Sequence, residues 1–169
     1  MEGTPDTPTQ TSPLEHQECV ADAAVDVFAA TCDVQLQRCD EPCEGLASDG
    51  AVIGMISIVG GVDWSIFLGL PPQTAIALAA KFAGFAIGFD SDDMGDAAGE
   101  LTNILAGDIK RRLEAKSVDA TISLPSVIRA ESLQVLVQRG TSVTKTSFAC
   151  EAGKLWTAVI SAKEGGFIA

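Results

Sequence analysis

The chain has 169 residues, 47% apolar and 20% charged, with 23 acidic against 11 basic side chains and a formal charge of -12. This size and composition suit one globular domain whose core needs no disulfide staples, and they exclude a largely disordered chain. The acidic balance argues against nucleic acid as a partner, because phosphate binding needs clustered Lys and Arg and the longest basic run is Lys110-Arg111-Arg112.

Residues 1–13 are Thr/Pro-rich and acidic, and are expected to form a disordered tail ahead of a single domain over 14–169. With neither a cationic start nor an apolar run there, a reducing cytoplasm is the expected location. Leu14 to Thr31 predicts a helix, with Val20, Ala23, Ala24, Val27 and Phe28 as its apolar stripe. A short strand over Val34 to Arg38 follows, then a loop over Asp40 to Asp49. The 20-residue run "AVIGMISIVGGVDWSIFLGL" matches a membrane span in length. Its internal Asp63, the Gly60-Gly61 pair and the β-branched residues on both sides instead predict a hairpin, Ala51–Val59 and Val62–Leu68.

Pro71 and Pro72 open a second, largely buried helix that ends at Gly84 or Gly88. Ser91, Asp92 and Asp93 then offer N-caps for a third helix, from Asp93 to about Lys116. Strands are expected at Ala120–Leu124, Leu133–Gln138, Val143–Ala149 and Leu155–Ser161. Helix, strand, loop and hairpin thus occur over 14–68 and again over 93–149, a duplicated layout without a detectable sequence repeat. The predicted class is α+β, an antiparallel sheet with helices packed on it.

Five cysteines are present, Cys19, Cys32, Cys39, Cys43 and Cys150, an odd number at irregular spacing. Cys39 and Cys43, with Cys32 nearby, invite comparison with a metal site. The four tightly spaced ligands of a zinc site are not evident, and the single histidine, His16, reads as a surface residue, so free structural thiols are the simpler reading. No P-loop, dinucleotide fingerprint or G-x-S-x-G turn occurs.

The third helix carries the chemistry. With about 100° per residue, and Asp96 set to zero, Glu100 falls near +40°, Asn103 near -20° and Gly107 near +20°. Met94, Ala98, Leu101 and Leu105 gather on the opposite side, toward the core. Asp108 and Arg112 interrupt that stripe, and the helix is expected to emerge into solvent there. Asn and Gly are weak choices for a helix interior, Gly costing roughly 1 kcal/mol against Ala. Gly99 and Gly107 border the polar row and would let a partner's surface come close. A randomly polar solvated face remains the simpler alternative on spacing alone. An Asn amide both donates and accepts hydrogen bonds, so it can orient a water molecule without being a strong base.

The pattern Asp96-x-x-x-Glu100-x-x-Asn103, followed after 21 intervening residues by Pro125 in "ISLPSVI", resembles the signature of the CheC/CheX/FliY-type chemotaxis phosphatases. The family spacing before the proline is about one residue longer. The first helix has Glu18 but Ala21 where a second Asn would stand, so the resemblance implies one site per chain, as in the CheX branch. It implies a CheC-like fold, a homodimer and a phosphorylated CheY-like receiver domain as partner. Asn103 would position the water that hydrolyses the aspartyl phosphate, and Glu100 would anchor the complex. Asp96, Gly99, Gly107 and Pro125 would contact the partner. No cofactor is implied for this chain, since the Mg²⁺ would belong to the receiver. A binding module that keeps the fold without catalysis is the alternative.

Overall fold

Residues 13–40, 50–132, 137 and 139–162 are described by a computed structural model, with only the backbone described for 13–17 and 162. The expected tail, the 41–49 loop with Cys43, the side chain of His16 and nearly all of the expected 133–138 strand lie outside the described residues. The element order is α1 (Pro13–Cys32), β1 (Gln37–Cys39), β2 (Ala51–Gly60), β3 (Asp63–Leu70), α2 (Pro72–Ala83), α3 (Asp92–Ala115), β4 (Ala120–Ile122), β5 (Ser126–Ala130), β6 (Thr141–Cys150) and β7 (Gly153–Ala162). All strand pairings are antiparallel, in the order β1-β6-β7-β3-β2-β4, with β5 also paired to β2. The α+β class read from the sequence is the architecture found.

The duplicated layout takes a different form from the one the sequence suggested. The sheet order is symmetric about the central β3–β7 pair: β2 corresponds to β6, β4 to β1, and α3 to α1. Each half lends its first short strand to the other half's hairpin, β1 pairing β6 and β4 pairing β2. The second hairpin is therefore β6–β7, reaching residue 162 rather than stopping at 149.

Helices cover one face of the sheet. Val52, Ile56 and Ile58 of β2, Ile66, Leu68 and Leu70 of β3, and Phe148, Leu155 and Val159 of the second hairpin meet Phe28 of α1, Leu78 of α2, and Met94, Leu101, Leu105 and Ile109 of α3. Alternation sends the other residues to the outer face. There Ala51, Ile53, Phe67, Trp156 and Ala158 form a second, smaller apolar cluster. Pro71 and Pro72 start α2, and Gly84 ends it in the left-handed conformation (φ 80°), donating to the Ala80 carbonyl at 2.9 Å.

One glycine decides how α3 sits. Gly54 lies in the middle of β2, where glycine is a weak strand former. A Cβ there would fall 1.8 Å from Thr102 Oγ1 and 2.8 Å from Thr102 Cβ. Thr102 is fully buried and donates its hydroxyl to the Ala98 carbonyl at 2.7 Å, so its polar atom is satisfied within the helix. The missing side chain lets the helix lie directly on the strand. Gly54→Ala should cost about 1–3 kcal/mol, the usual range for overpacking. Urea unfolding checks this, and adding Thr102→Ala should recover only part of the loss, because the Thr102 Cβ remains too close.

Candidate functional site

The helix carrying the polar row is held at both ends. Ser91 is its N-cap residue, and Asp92 and Asp93 fill the first turn, where carboxylates suit the positive helix end. The Ser91 side chain accepts no hydrogen bond from the first turn: its Oγ donates back to the Gly88 carbonyl at 2.7 Å, and the Ser91 carbonyl accepts from Arg129 Nη2 of β5 at 2.8 Å. The Arg129 guanidinium also stands 5.7 Å from the centre of the Phe89 ring.

At the other end, Asp108 and Arg112 do not mark an emergence into solvent, contrary to the sequence reading. Ile109 and Leu113 remain buried there. Asp108 accepts from both Arg111 and Arg112, and Arg112 also pairs with Asp26 of α1. The interruption of the apolar stripe is an ionic bridge between two helices. Burial disfavours the charged form of Asp108, but hydrogen bonds and charge from Arg112 and Arg111 outweigh it and hold the carboxyl below its ordinary range.

Between these anchors the predicted face stands open. Asp96 and Glu100 are exposed and Asn103 is half-buried. None of the three makes a hydrogen bond or ion pair among the described residues. Gly107 is half-buried, and a Cβ built on it would meet nothing within 4 Å. Gly99 is buried, and a Cβ built on it would sit 3.4 Å from Val127 Cγ2, in ordinary contact with the chain's own β5. On α1, the counterpart position Ala21 is fully buried, so that helix presents no second polar row at this place.

Pro125 lies between β4 and β5, two strands that both contact this helix, in a feature that the sequence reading missed. Residues 120–124 do not form one strand. The edge strand breaks after Ile122 and resumes as β5 at Ser126. Three residues, Ser123 to Pro125, stand opposite two of β2, Ile56 and Ser57, which is a β-bulge. Proline has no N–H for the ladder, and an edge-strand bulge is where it is tolerated. Ser123 secures the bulge: its N–H donates to the Ser57 carbonyl at 2.9 Å, and Ser57 N–H donates to Ser123 Oγ at 3.0 Å.

No group of three or more His, Cys, Asp or Glu side chains among the described residues is placed to hold a metal. Cys19 and Cys32 are buried on α1 with free thiols, and burial pushes both thiols up from their ordinary range, which makes them poor nucleophiles. No helix among the described residues is long and apolar enough to cross a membrane.

The family model for the chemotaxis phosphatase CheX matches residues 52–149, a span from β2 through α3 into β6. The chain belongs to the CheX family. Solved structures with the same fold include a chemotaxis protein CheX from Desulfovibrio desulfuricans, 22% identical, covering 86% of this chain and 97% of that one with a TM-score of 0.73. Another is CheX from Vibrio vulnificus, 18% identical, covering 89% and 98% with a TM-score of 0.75. A third is the Borrelia burgdorferi CheX in a CheX–CheY–BeF₃–Mg²⁺ complex, 22% identical, covering 88% and 98% with a TM-score of 0.68. No curated protein matches the chain in sequence.

The ionic bridge under this CheX-family helix has a pH signature. A carboxyl with a lowered folded-state pKa contributes stability that is present above its unfolded value and lost as pH falls through the folded one. Asp108→Asn should lower the urea midpoint at neutral pH. Its difference from wild type should close as pH drops below about 4, the ordinary carboxylate value. Paired unfolding curves across that range check both the loss and its direction.

Proposed function

We propose that this chain docks on the phosphorylated receiver domain of a CheY-type response regulator and accelerates hydrolysis of its aspartyl phosphate. One observation carries the reading: Glu100 and Asn103 share the open face of a helix anchored at both ends, and neither has a partner of its own among the described residues. Membership of the CheX phosphatase family supports it, as does the capture of a family fold in complex with CheY, BeF₃ and Mg²⁺.

The chemistry suits these side chains. Hydrolysis needs a water in line with the phosphorus–oxygen bond to the receiver's aspartate; the new bond forms to water oxygen and the aspartate leaves as carboxylate. Such transfer depends on positioning and on stabilising charge more than on covalent help from the catalyst. The Asn103 amide orients the water through its carbonyl and amide groups. The Glu100 carboxylate pairs with a cation in the receiver's pocket, a charge-assisted contact that aligns the two proteins. The Mg²⁺ that steadies the phosphoryl oxygens is assigned to the receiver. Asp96, one turn before Glu100, widens the acidic face, and Gly107 leaves space for the partner's backbone. A homodimer and a cytoplasmic location belong to the same reading.

The test is dephosphorylation of a phosphorylated CheY-type receiver with Mg²⁺ present. Wild type should accelerate phosphate loss. Asn103→Ala should lower kcat by about 100-fold, the scale seen when a positioned transition-state donor is removed. Glu100→Ala should raise KM by about tenfold, as expected for a lost charge-assisted contact. Wild type that binds the receiver without altering its rate would identify a binding module instead.

A further inference from the structure

The bulge that holds Pro125 also displays Leu124, which is 88% exposed, more than any other large apolar side chain among the described residues. A single exposed leucine is ordinary in itself. This one differs in how it is held and in what lies beside it. Ser123 ties the bulge to Ser57 by two hydrogen bonds, Ser123 Oγ donates to the Leu124 carbonyl at 3.0 Å, and the Pro125 ring restricts the next φ. The leucine is therefore presented by an ordered edge rather than by a loose loop.

Its height along α3 follows from the topology. The turn after α3 reverses the chain, with Lys116 and Val118 N–H both bonded to the Leu113 carbonyl, so the edge strand runs back along the helix. Val127 of that strand abuts Gly99. A strand advances about 3.3 Å per residue, less within the bulge where three residues span two positions, and a helix about 1.5 Å, so Pro125, two residues back from Val127, comes about level with Asn103. Leu124 comes level with the stretch between Asn103 and Gly107, whose missing side chain leaves open space.

From this juxtaposition we infer that Leu124 is a docking residue, an apolar anchor that seats the phosphorylated receiver beside Asn103. The inference rests on the phosphatase reading above and adds to it the contact that orders the partner along the edge of the sheet. The receiver must offer an apolar depression next to its phosphorylated pocket. The helix row supplies charge and water placement, while the leucine supplies a non-polar contact that salt does not screen.

The experiment compares wild type, Leu124→Ala, Leu124→Asp and Val143→Ala in two assays. Val143 is likewise exposed but stands on the outer face of the sheet, away from the helices. One assay is turnover of a phosphorylated CheY-type receiver with Mg²⁺; the other is binding of the same receiver loaded with BeF₃ and Mg²⁺. Leu124→Ala should raise KM and the dissociation constant by about tenfold, the cost of truncating an interface anchor, with kcat changed less than about twofold. Leu124→Asp should weaken binding further, and Val143→Ala should match wild type. An active wild type whose KM and binding survive Leu124→Ala overturns the docking role and leaves the phosphatase reading standing. A wild type that neither binds nor turns over the receiver overturns both. A wild type that binds without turnover, with binding lost in Leu124→Ala, supports the docking role and overturns the catalytic one. A change in sedimentation mass on Leu124→Ala would assign the residue to contact between copies of this chain and overturn the inference.

Discussion

The contact between Thr102 and Gly54 is the constraint on which the site depends. A helix can rest on a strand at this distance only where the strand has no Cβ, and in this fold the residue that fills the gap over Gly54 is Thr102. With Thr102 turned inward, its neighbour Asn103 is carried to the rim of the helix and Glu100 to the outside. Because β2 also pairs with β3, β4 and β5, the strand beneath the helix sets the position of the edge that runs beside it. Helix face and bulge are thus referred to one piece of backbone.

Packing of this kind explains how a helix with poor local propensity persists. Gly95, Gly99, Asn103 and Gly107 all weaken α3 as an isolated peptide. Tertiary burial of Met94, Leu101, Leu105, Ile109 and Leu113 outweighs that weakness. The ends add polar restraints, Arg129 at the Ser91 carbonyl and the Asp26–Arg112–Asp108 bridge toward α1. Among the described residues the middle of the outer face has no internal partners, so its side chains are available to another molecule. A catalyst that works by placing a water needs this combination, a rigid support under side chains whose hydrogen-bonding capacity is unspent.

Halving the architecture shows a related economy. The α1 half retains the strands and core of the pseudo-symmetric layout, yet Ala21 faces inward where the α3 half shows a polar row. One half is given to packing, with Cys19, Ala24 and Phe28 in the core, and the other presents the candidate site. The same pseudo-symmetry accounts for the exchange of β1 and β4 between hairpins, which ties the two halves into one sheet.

Much of this was legible in the residues. Helical periodicity located α1 and α3, paired prolines and Gly84 bounded the apolar α2, and the Gly60-Gly61 pair between β-branched runs located β2 and β3, because these signals act over a few neighbouring residues. The row of Asp96, Glu100 and Asn103 was legible for the same reason, since helix geometry alone sets which side chains share a face. What lies across the sheet was not. Gly54 is only a weak position in a strand until Thr102 is seen above it, and Asp108 looks like the end of burial until Arg112 and Asp26 meet it. The break at Leu124 and Pro125 likewise became a bulge only through pairing with Ser57. Local pattern determined the elements and the polar row. Tertiary structure decided which glycines serve packing and which leave open space, because that depends on residues far away in the chain that no local period encodes.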